Sequence, residues 1–362
     1  MKIVIDARFT RTDHHDGISR YGASLIAAAS KIADVSMLIS DPRQLALLPD
    51  VPYTLINSPL SPEELFVARK VNELGADVVV CPMQTMGTWG RKYGLVLTLH
   101  DLIYYEHPAP PGFLPAPVRI LWRLYHKAFW PQRLLLNRAD VVATISRTTE
   151  ALMAKYRLTN RPVRIVSNAP QPAQLPRDPE AGADKTLLYM GSFMPYKNVE
   201  TMIRGMAELP DMTLHLLSRI TPDRRAELEA LAPAGADIVF HNGVTDAEYE
   251  AMLGRTTALI SLSRAEGYGL PLVEAMSHGT PVIASDIPIF REVGGDAVSY
   301  VHPDSPAEFA AAVRKLEEPD LWKARSRRSV ERAADFSWDE SARRLLDVAE
   351  EAVALRARRP GP

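Results

Sequence analysis

With a single cysteine, Cys81, this 362-residue chain can close no intramolecular disulfide and can build no zinc–thiolate cluster. The setting of that cysteine, Asp77-Val-Val-Val-Cys81-Pro82, reads as the buried end of a strand, which gives the thiol a structural role. Long hydrophobic runs are lacking too. None approaches the roughly 20 residues that cross a bilayer, no leader-like stretch precedes Ile3, and the expected compartment is a reducing cytoplasm. Charge of one sign is absent: 42 Lys and Arg against 44 Asp and Glu leave a formal net charge of −2. Phosphate backbones demand a broad basic field, so nucleic acid is excluded as the main partner. The chain contains no Asp-x-Asp, so a metal bridge to a diphosphate has no support, and no cofactor is expected. What is present, 46% apolar and 24% charged residues, is the make-up of a globular protein. The length exceeds one ordinary α/β domain and suits two.

Short apolar runs alternate with helical stretches, the pattern of parallel strands buried on both faces. In the first half the runs cover residues 3–9, 35–39, 78–81, 95–99, 141–145 and 163–166, with helices expected over 18–32, 62–74 and 148–156. Residues 168–184 are rich in Pro, Ala, Gly and Asp and carry no periodicity. A linker is therefore expected over 171–185. The pattern then restarts, with strands over 187–190, 213–217, 238–240, 258–262 and 281–284 and helices over 199–208, 222–231 and 247–253. This spacing predicts an α/β fold of two Rossmann-like domains, 1–170 and 186–335, facing a cleft, with a hinge in the linker. Residues 336–362 are expected as a C-terminal helix returning to the first domain, frayed from Arg356 onward.

The most informative stretch is Ser261-Leu-Ser-Arg264-Ala-Glu266-Gly267-Tyr268-Gly269-Leu270-Pro271-Leu-Val-Glu274-Ala-Met-Ser-His-Gly279-Thr-Pro281. A strand ends near Ser263 and a helix is expected from Pro271, with Gly279 and Pro281 as its stop. Gly267 and Gly269 remove side chains just before that helix, so the amides of Tyr268 to Leu270 can approach a diphosphate. Glu274 falls one turn further, roughly 5 Å along the axis, where a carboxylate can accept from ribose hydroxyls. Glu266 stands at the strand end, where it can hold hydroxyls of a donor sugar. Acids also favour helix N-termini for their dipole alone.

The stretch closely resembles the Glu-Gly-Phe-Gly-Leu-Pro…Glu-Ala…Gly-Thr-Pro-Val signature of retaining glycosyltransferases of the GT-B fold, family four, with Tyr268 in place of the Phe. Gly191-Ser192-Phe-Met-Pro-Tyr196-Lys197-Asn198 resembles the family's phosphate-contacting loop, which implies Lys197 as the cation on the donor diphosphate. Ser192 and Tyr196 stand where arginines are common, so Arg219 or Arg264 is expected to supply a second charge. His100-Asp101, after the run 95–99, is similar to the family's His-Asp pair at the cleft. Gly17-Ile-Ser-Arg20-Tyr21 is similar to its first strand-to-helix loop. Within the family the likeness leans toward mannosyltransferases that build bacterial surface polysaccharides.

The resemblance implies transfer of a hexose, best matched by mannose from GDP-mannose, with retention, onto a saccharide or lipid-linked saccharide acceptor. It places His100, Glu266 and Lys197 in catalysis. Gly17, Ser192, Arg219, Arg264, Gly267, Tyr268, Gly269, Leu270 and Glu274 fall on the donor, and Asp101 and Arg20 on the acceptor side. No nucleophile presents itself, so front-face substitution without a metal is expected. A sugar-nucleotide 2-epimerase of the same fold is the alternative. Asp13-His14-His15-Asp16 reads as a loop over the acceptor mouth, with metal binding as its other reading.

Residues 113–139 hold five Lys or Arg and no acid. Arg119, Arg123 and Lys127 form a stripe at four-residue spacing, with Trp122, Tyr125, Phe129 and Trp130 interleaved. A basic aromatic helix can lie on an anionic bilayer, which would place the protein peripherally at the inner face of the plasma membrane. It can equally pack on its own sheet with its charges solvated.

Overall fold

The computed structural model describes residues 1–108, 110, 116–171 and 177–358. Residues 113–115 of the basic segment, 172–176 of the expected linker and 359–362 of the tail lie outside that set. The chain forms two compact units, the first built from Met1–Asn168 and Ser337–Pro362 and the second from Ala169–Phe336.

In the first unit seven strands run β1 Ile3–Asp6, β2 Val35–Ile39, β3 Tyr53–Leu55, β4 Val78–Cys81, β5 Gly94–Leu99, β6 Val141–Thr144 and β7 Val163–Ile165. All pair in parallel in the order β3-β2-β1-β4-β5-β6-β7. β1, β4, β5 and β6 are buried along their whole length, so continuous apolar runs, not alternation, form them. Val4, Leu38, Val79, Leu97 and Val142 make one face of the core with Val67, Val71 and Met153.

The last helix, Trp338–Ala357, lies on this sheet and buries Leu345, Val348, Ala349 and Ala352. A Cβ at Gly94 would stand 3.0 Å from the Ala352 carbonyl carbon, so only glycine lets that backbone come so close. The Ser341 hydroxyl donates to the Ser167 carbonyl at 2.8 Å, and Arg164 pairs with both oxygens of Glu351.

The second unit repeats the scheme with β8 Asp184–Tyr189, β9 Thr213–Leu216, β10 Asp237–Phe240, β11 Thr256–Ser261, β12 Val282–Ser285 and β13 Ser299–Val301. Its order is β10-β9-β8-β11-β12-β13, again all parallel. Leu187, Leu214, Ile260 and Ile283 pack against Met202, Ile203, Phe309 and Trp322. In both units the strand order reverses beside the first strand, between β1 and β4 and between β8 and β11. A crevice opens at the carboxyl ends of strands at such a switch point.

Three expectations need correction. β8 begins at Asp184, inside the span expected as linker, and a 3₁₀ turn occupies Pro179–Ala181. The edge strands β3 and β13 carry no continuous apolar run and were not expected. The basic stripe does not lie on one helix: helix Ala116–Tyr125 ends, and another begins at Trp130 with Pro131 in its first turn. Proline lacks the amide that a continuing helix would need there, so Lys127 sits in the turn between the two.

Candidate donor and acceptor sites

In the second unit the switch-point loops are 190–198, after β8, and 262–269, after β11. They meet at one ion pair. Lys197 Nζ donates to Glu266 Oε1 at 2.5 Å, with both side chains largely enclosed. Ser263 Oγ donates to the same oxygen at 3.0 Å, and Ser285 Oγ in turn donates to the Ser263 carbonyl. Among the described residues Glu266 Oε2 accepts no hydrogen bond, which leaves one carboxylate oxygen for a hydroxyl.

The loop bearing Lys197 is pinned on each side. Asn198 takes the left-handed conformation at φ 55° and its buried amide donates to the carbonyls of Leu262 at 3.0 Å and Pro303 at 2.6 Å. Arg224 donates to the Phe193 carbonyl at 3.1 Å while bonding Glu200 and Glu227. Neither Ser263 nor Arg224 was singled out from sequence. Ser263 reads only as a strand end, and Arg224 falls in the expected helix 222–231 outside any motif.

The second element is the helix Leu270–Ser277, which starts one residue earlier than expected. Its N-cap, Gly269, has φ 97° and ψ 49° and offers no side chain, so the first amides of the helix are not capped by one. A Cβ there would approach the Phe290 ring to 2.8 Å. Glu274 is half-buried, one turn along. The Tyr268 ring is buried edge-on to Phe336, and burial pushes its phenol well up, so this residue can offer a ligand its backbone but not its ring. Gly267 and Leu270 flank it.

The two candidate second cations separate clearly. Arg264 donates to Asp304 Oδ1 at 3.0 Å and to the Pro195 carbonyl at 3.2 Å, so it braces the Lys197 loop. Arg219 is exposed, its stem resting against Gly243, and among the described residues it forms no ion pair. Ser192 is exposed, and its carbonyl accepts from the Tyr189 hydroxyl at 2.5 Å.

In the first unit His100 follows β5. Its Nε2 lies 2.7 Å from the Pro82 carbonyl, and the Tyr21 ring meets it edge-on at 5.1 Å. Burial holds the imidazole below its ordinary pKa, opposed by the Pro82 bond and by Asp16. The neutral ring then carries its proton on Nε2, with Nδ1 as an acceptor. Asp101 accepts from the Ile103 amide at 3.0 Å, just before the short helix Ile103–Glu106.

Gly17 opens the helix Gly17–Ala29, whose cap is Asp16 and which carries Arg20 and Tyr21. A Cβ on Gly17 would meet nothing within 4 Å. The Asp13–Asp16 loop does not converge on a point. Asp13 pairs with His14, Asp16 with Arg11, and His15 with the Ser19 hydroxyl. Among the described residues no three His, Cys, Asp or Glu side chains gather where a metal could sit.

Residues 171–335 match the family described as glycosyl transferases group 1, and residues 40–172 match glycosyltransferase family 4. The chain is 24% identical over 328 residues to the O-antigen chain mannosyltransferase RfbU of Salmonella typhimurium, covering 84% of this chain and 88% of that one. It is 25% identical over 275 residues to the O-antigen chain mannosyltransferase B of Escherichia coli, covering 70% and 69%. Sucrose-phosphate synthase from Thermosynechococcus elongatus superposes with a TM-score of 0.75 over 98% of this chain and 99% of that one, at 20% identity, a likeness of fold.

Proposed function

The chain belongs to family four of the glycosyltransferases, hexose-transferring enzymes of the GT-B fold that here serve polysaccharide biosynthesis, and from that premise we propose mannose transfer from GDP-mannose with retention. The observation that carries the reading is the Lys197–Glu266 pair at the switch point of the second unit. Mannosyltransferase names among the relatives support the choice of sugar.

In this reading the diphosphate takes the amides before helix Leu270–Ser277, the ammonium of Lys197 and the unpaired guanidinium of Arg219. The backbone of Ser192, Gly267 and Tyr268 lines that approach. Glu274 accepts from the ribose, and Glu266 Oε2 accepts from a hydroxyl of the hexose. In the first unit His100 Nδ1 accepts from a substrate hydroxyl, and Gly17, Arg20 and Asp101 are that unit's other candidate contacts with substrate. The acceptor hydroxyl attacks the anomeric carbon on the face from which the diphosphate departs. The C1–O bond to the diphosphate breaks, and the hydroxyl proton passes to the departing phosphate oxygen. Pre-aimed positive charge stabilises the leaving group, which is the role a divalent ion would otherwise fill. Activity is therefore expected to survive excess EDTA.

The acceptor we propose is a lipid-linked saccharide reached at a membrane surface through helix Ala116–Tyr125. That helix exposes Val118, Ile120, Leu121 and Leu124 beside Arg123. No helix among the described residues is long and apolar enough to cross a membrane. Incubation with GDP-mannose and a lipid-linked oligosaccharide, followed by proton NMR of the product, tests the whole reading. An α-linked mannoside supports it. A β linkage refutes retention, and conversion of the free nucleotide sugar without acceptor marks a 2-epimerase.

A further inference from the structure

The surroundings of His100 are held from a part of the first unit that the chemistry above does not use. β1 ends at Asp6, Ala7 and Arg8 follow it, and Arg8 is buried with every guanidinium N–H engaged. Nε donates to Asp6 Oδ1 and Nη2 to Asp6 Oδ2, each at 2.8 Å. Nη1 donates to Glu64 Oε2 at 2.6 Å and to the Asn57 carbonyl at 3.1 Å, and Nη2 reaches Glu64 Oε1 at 3.2 Å. Three charges in one interior cost desolvation that a well-packed apolar trio would avoid. Plain stability is a poor reason for such a cluster.

Glu64 grips the loop after β4, and Asp6 stands beside the strand end that leads into it. Glu64 Oε1 accepts from the Gly87 amide at 3.0 Å, and a Cβ on Gly87 would lie 1.8 Å from the Glu64 carbonyl oxygen. At the other end the Cys81 thiol lies 3.7 Å from Asp6 Oδ2 and 3.4 Å from the Thr85 carbonyl, and it donates its one hydrogen to one of them. Between the two holds stands Pro82, whose carbonyl is the partner of His100 Nε2.

We propose that Arg8 is a positioning residue: by holding Asp6 and Glu64 it fixes loop 82–87, so that the Pro82 carbonyl keeps His100 in the Nε2–H tautomer. Among the described residues the groups facing His100 are Pro82, Tyr21 and the charge of Asp16, and of these only the Pro82 carbonyl distinguishes one ring nitrogen from the other. The consequence for turnover rests on the role given to His100 above; the tautomer does not.

Two substitutions test the assignment. Arg8→Lys keeps the charge but lacks the planar fork that serves two carboxylates at once. Glu64→Gln has one acceptor oxygen where the carboxylate serves Arg8, Asn57 and Gly87, and it remains informative if Arg8→Lys does not fold. Imidazole nitrogen and carbon NMR, with the His100 signal assigned by His100→Gln, reads the tautomer directly. The native protein is expected to show Nε2–H, and both variants a growing Nδ1–H fraction. Turnover should fall by up to about 100-fold, the loss a misplaced contact implies, with the Kd for GDP unchanged. A native His100 tautomer in Glu64→Gln, whatever its melting temperature, overturns the assignment. A shifted tautomer with native turnover upholds it and overturns instead the substrate role of His100.

Discussion

Lys197 and Glu266 are 69 positions apart in the chain and 2.5 Å apart in space, and that closeness changes what each substitution should do. Removing Glu266 frees the ammonium, so Glu266→Ala is expected to leave GDP affinity unchanged or tighter. Hexose transfer should fall about 100-fold, the usual loss for one misaligned contact to the reacting group. Glu274→Ala removes the proposed ribose acceptor and should weaken GDP binding by about 1.5–3 kcal/mol. Calorimetric titration of both variants with GDP checks the division, and equal losses would rule it out. Titration offers a second check at this scale. Burial holds His100, His126 and His215 below the ordinary imidazole pKa, with His241 adding to the effect on His215. Each therefore takes its proton at lower pH in the native state than in the unfolded chain, where the value is about 6.5. Below that pH the unfolded state binds more protons, so stability rises with pH. The contribution is complete above about pH 6.5 and is lost as pH falls through the native values. Thermal unfolding between pH 7.5 and 5.5 should show a falling midpoint; a flat profile would contradict it.

At the scale of elements, the sequence spoke clearly wherever a strand is buried on both faces, because such strands are written as unbroken apolar runs. β4 and β2 fall where those runs stand, and β1 and β6 only end a little earlier. β3 and β13 were silent because each has three residues and no unbroken apolar run, so nothing local marked them. The Asp6–Arg8 pair was missed for a related reason. It sits inside what reads as one apolar stretch, and two opposite charges within that stretch were the signal that could have exposed it. The Lys197–Glu266 contact depends on strand order, which no local pattern states. Glycine supplies an element-scale prediction. Gly269→Ala forces a left-handed φ on an L-residue and drives a methyl toward Phe290, so a loss of about 1–3 kcal/mol is expected, together with weaker GDP binding as the helix start shifts. Gly17→Ala has open space and no positive φ, and its melting temperature should match the native protein. Lost activity at Gly17 with native stability would isolate a ligand that approaches there, whereas equal destabilisation of both variants would refute the contrast.

For the whole molecule, a net charge of −2 gives no general attraction to an anionic surface, so any membrane contact must come from a local patch. Helix Ala116–Tyr125 supplies one in two physical currencies. Ile120, Leu121 and Leu124 are 59%, 68% and 57% exposed, an apolar face that no described part of the chain covers. Arg123 and the turn residue Lys127 are exposed close by and should each add roughly 1 kcal/mol near an anionic bilayer, fading over about a Debye length. The two contributions separate experimentally because only one is screened. Arg123→Gln with Lys127→Gln should weaken binding to phosphatidylglycerol-containing vesicles about ten-fold or more at low salt and make little difference at high salt. Leu121→Gln with Leu124→Gln should weaken it at every salt concentration, because buried apolar area is not screened. GDP affinity should be native in all of these variants, since none of the substituted residues is among the donor contacts. Vesicle flotation across a salt series reads both effects, and a native protein that ignores anionic vesicles at low salt would remove the membrane from the acceptor's route.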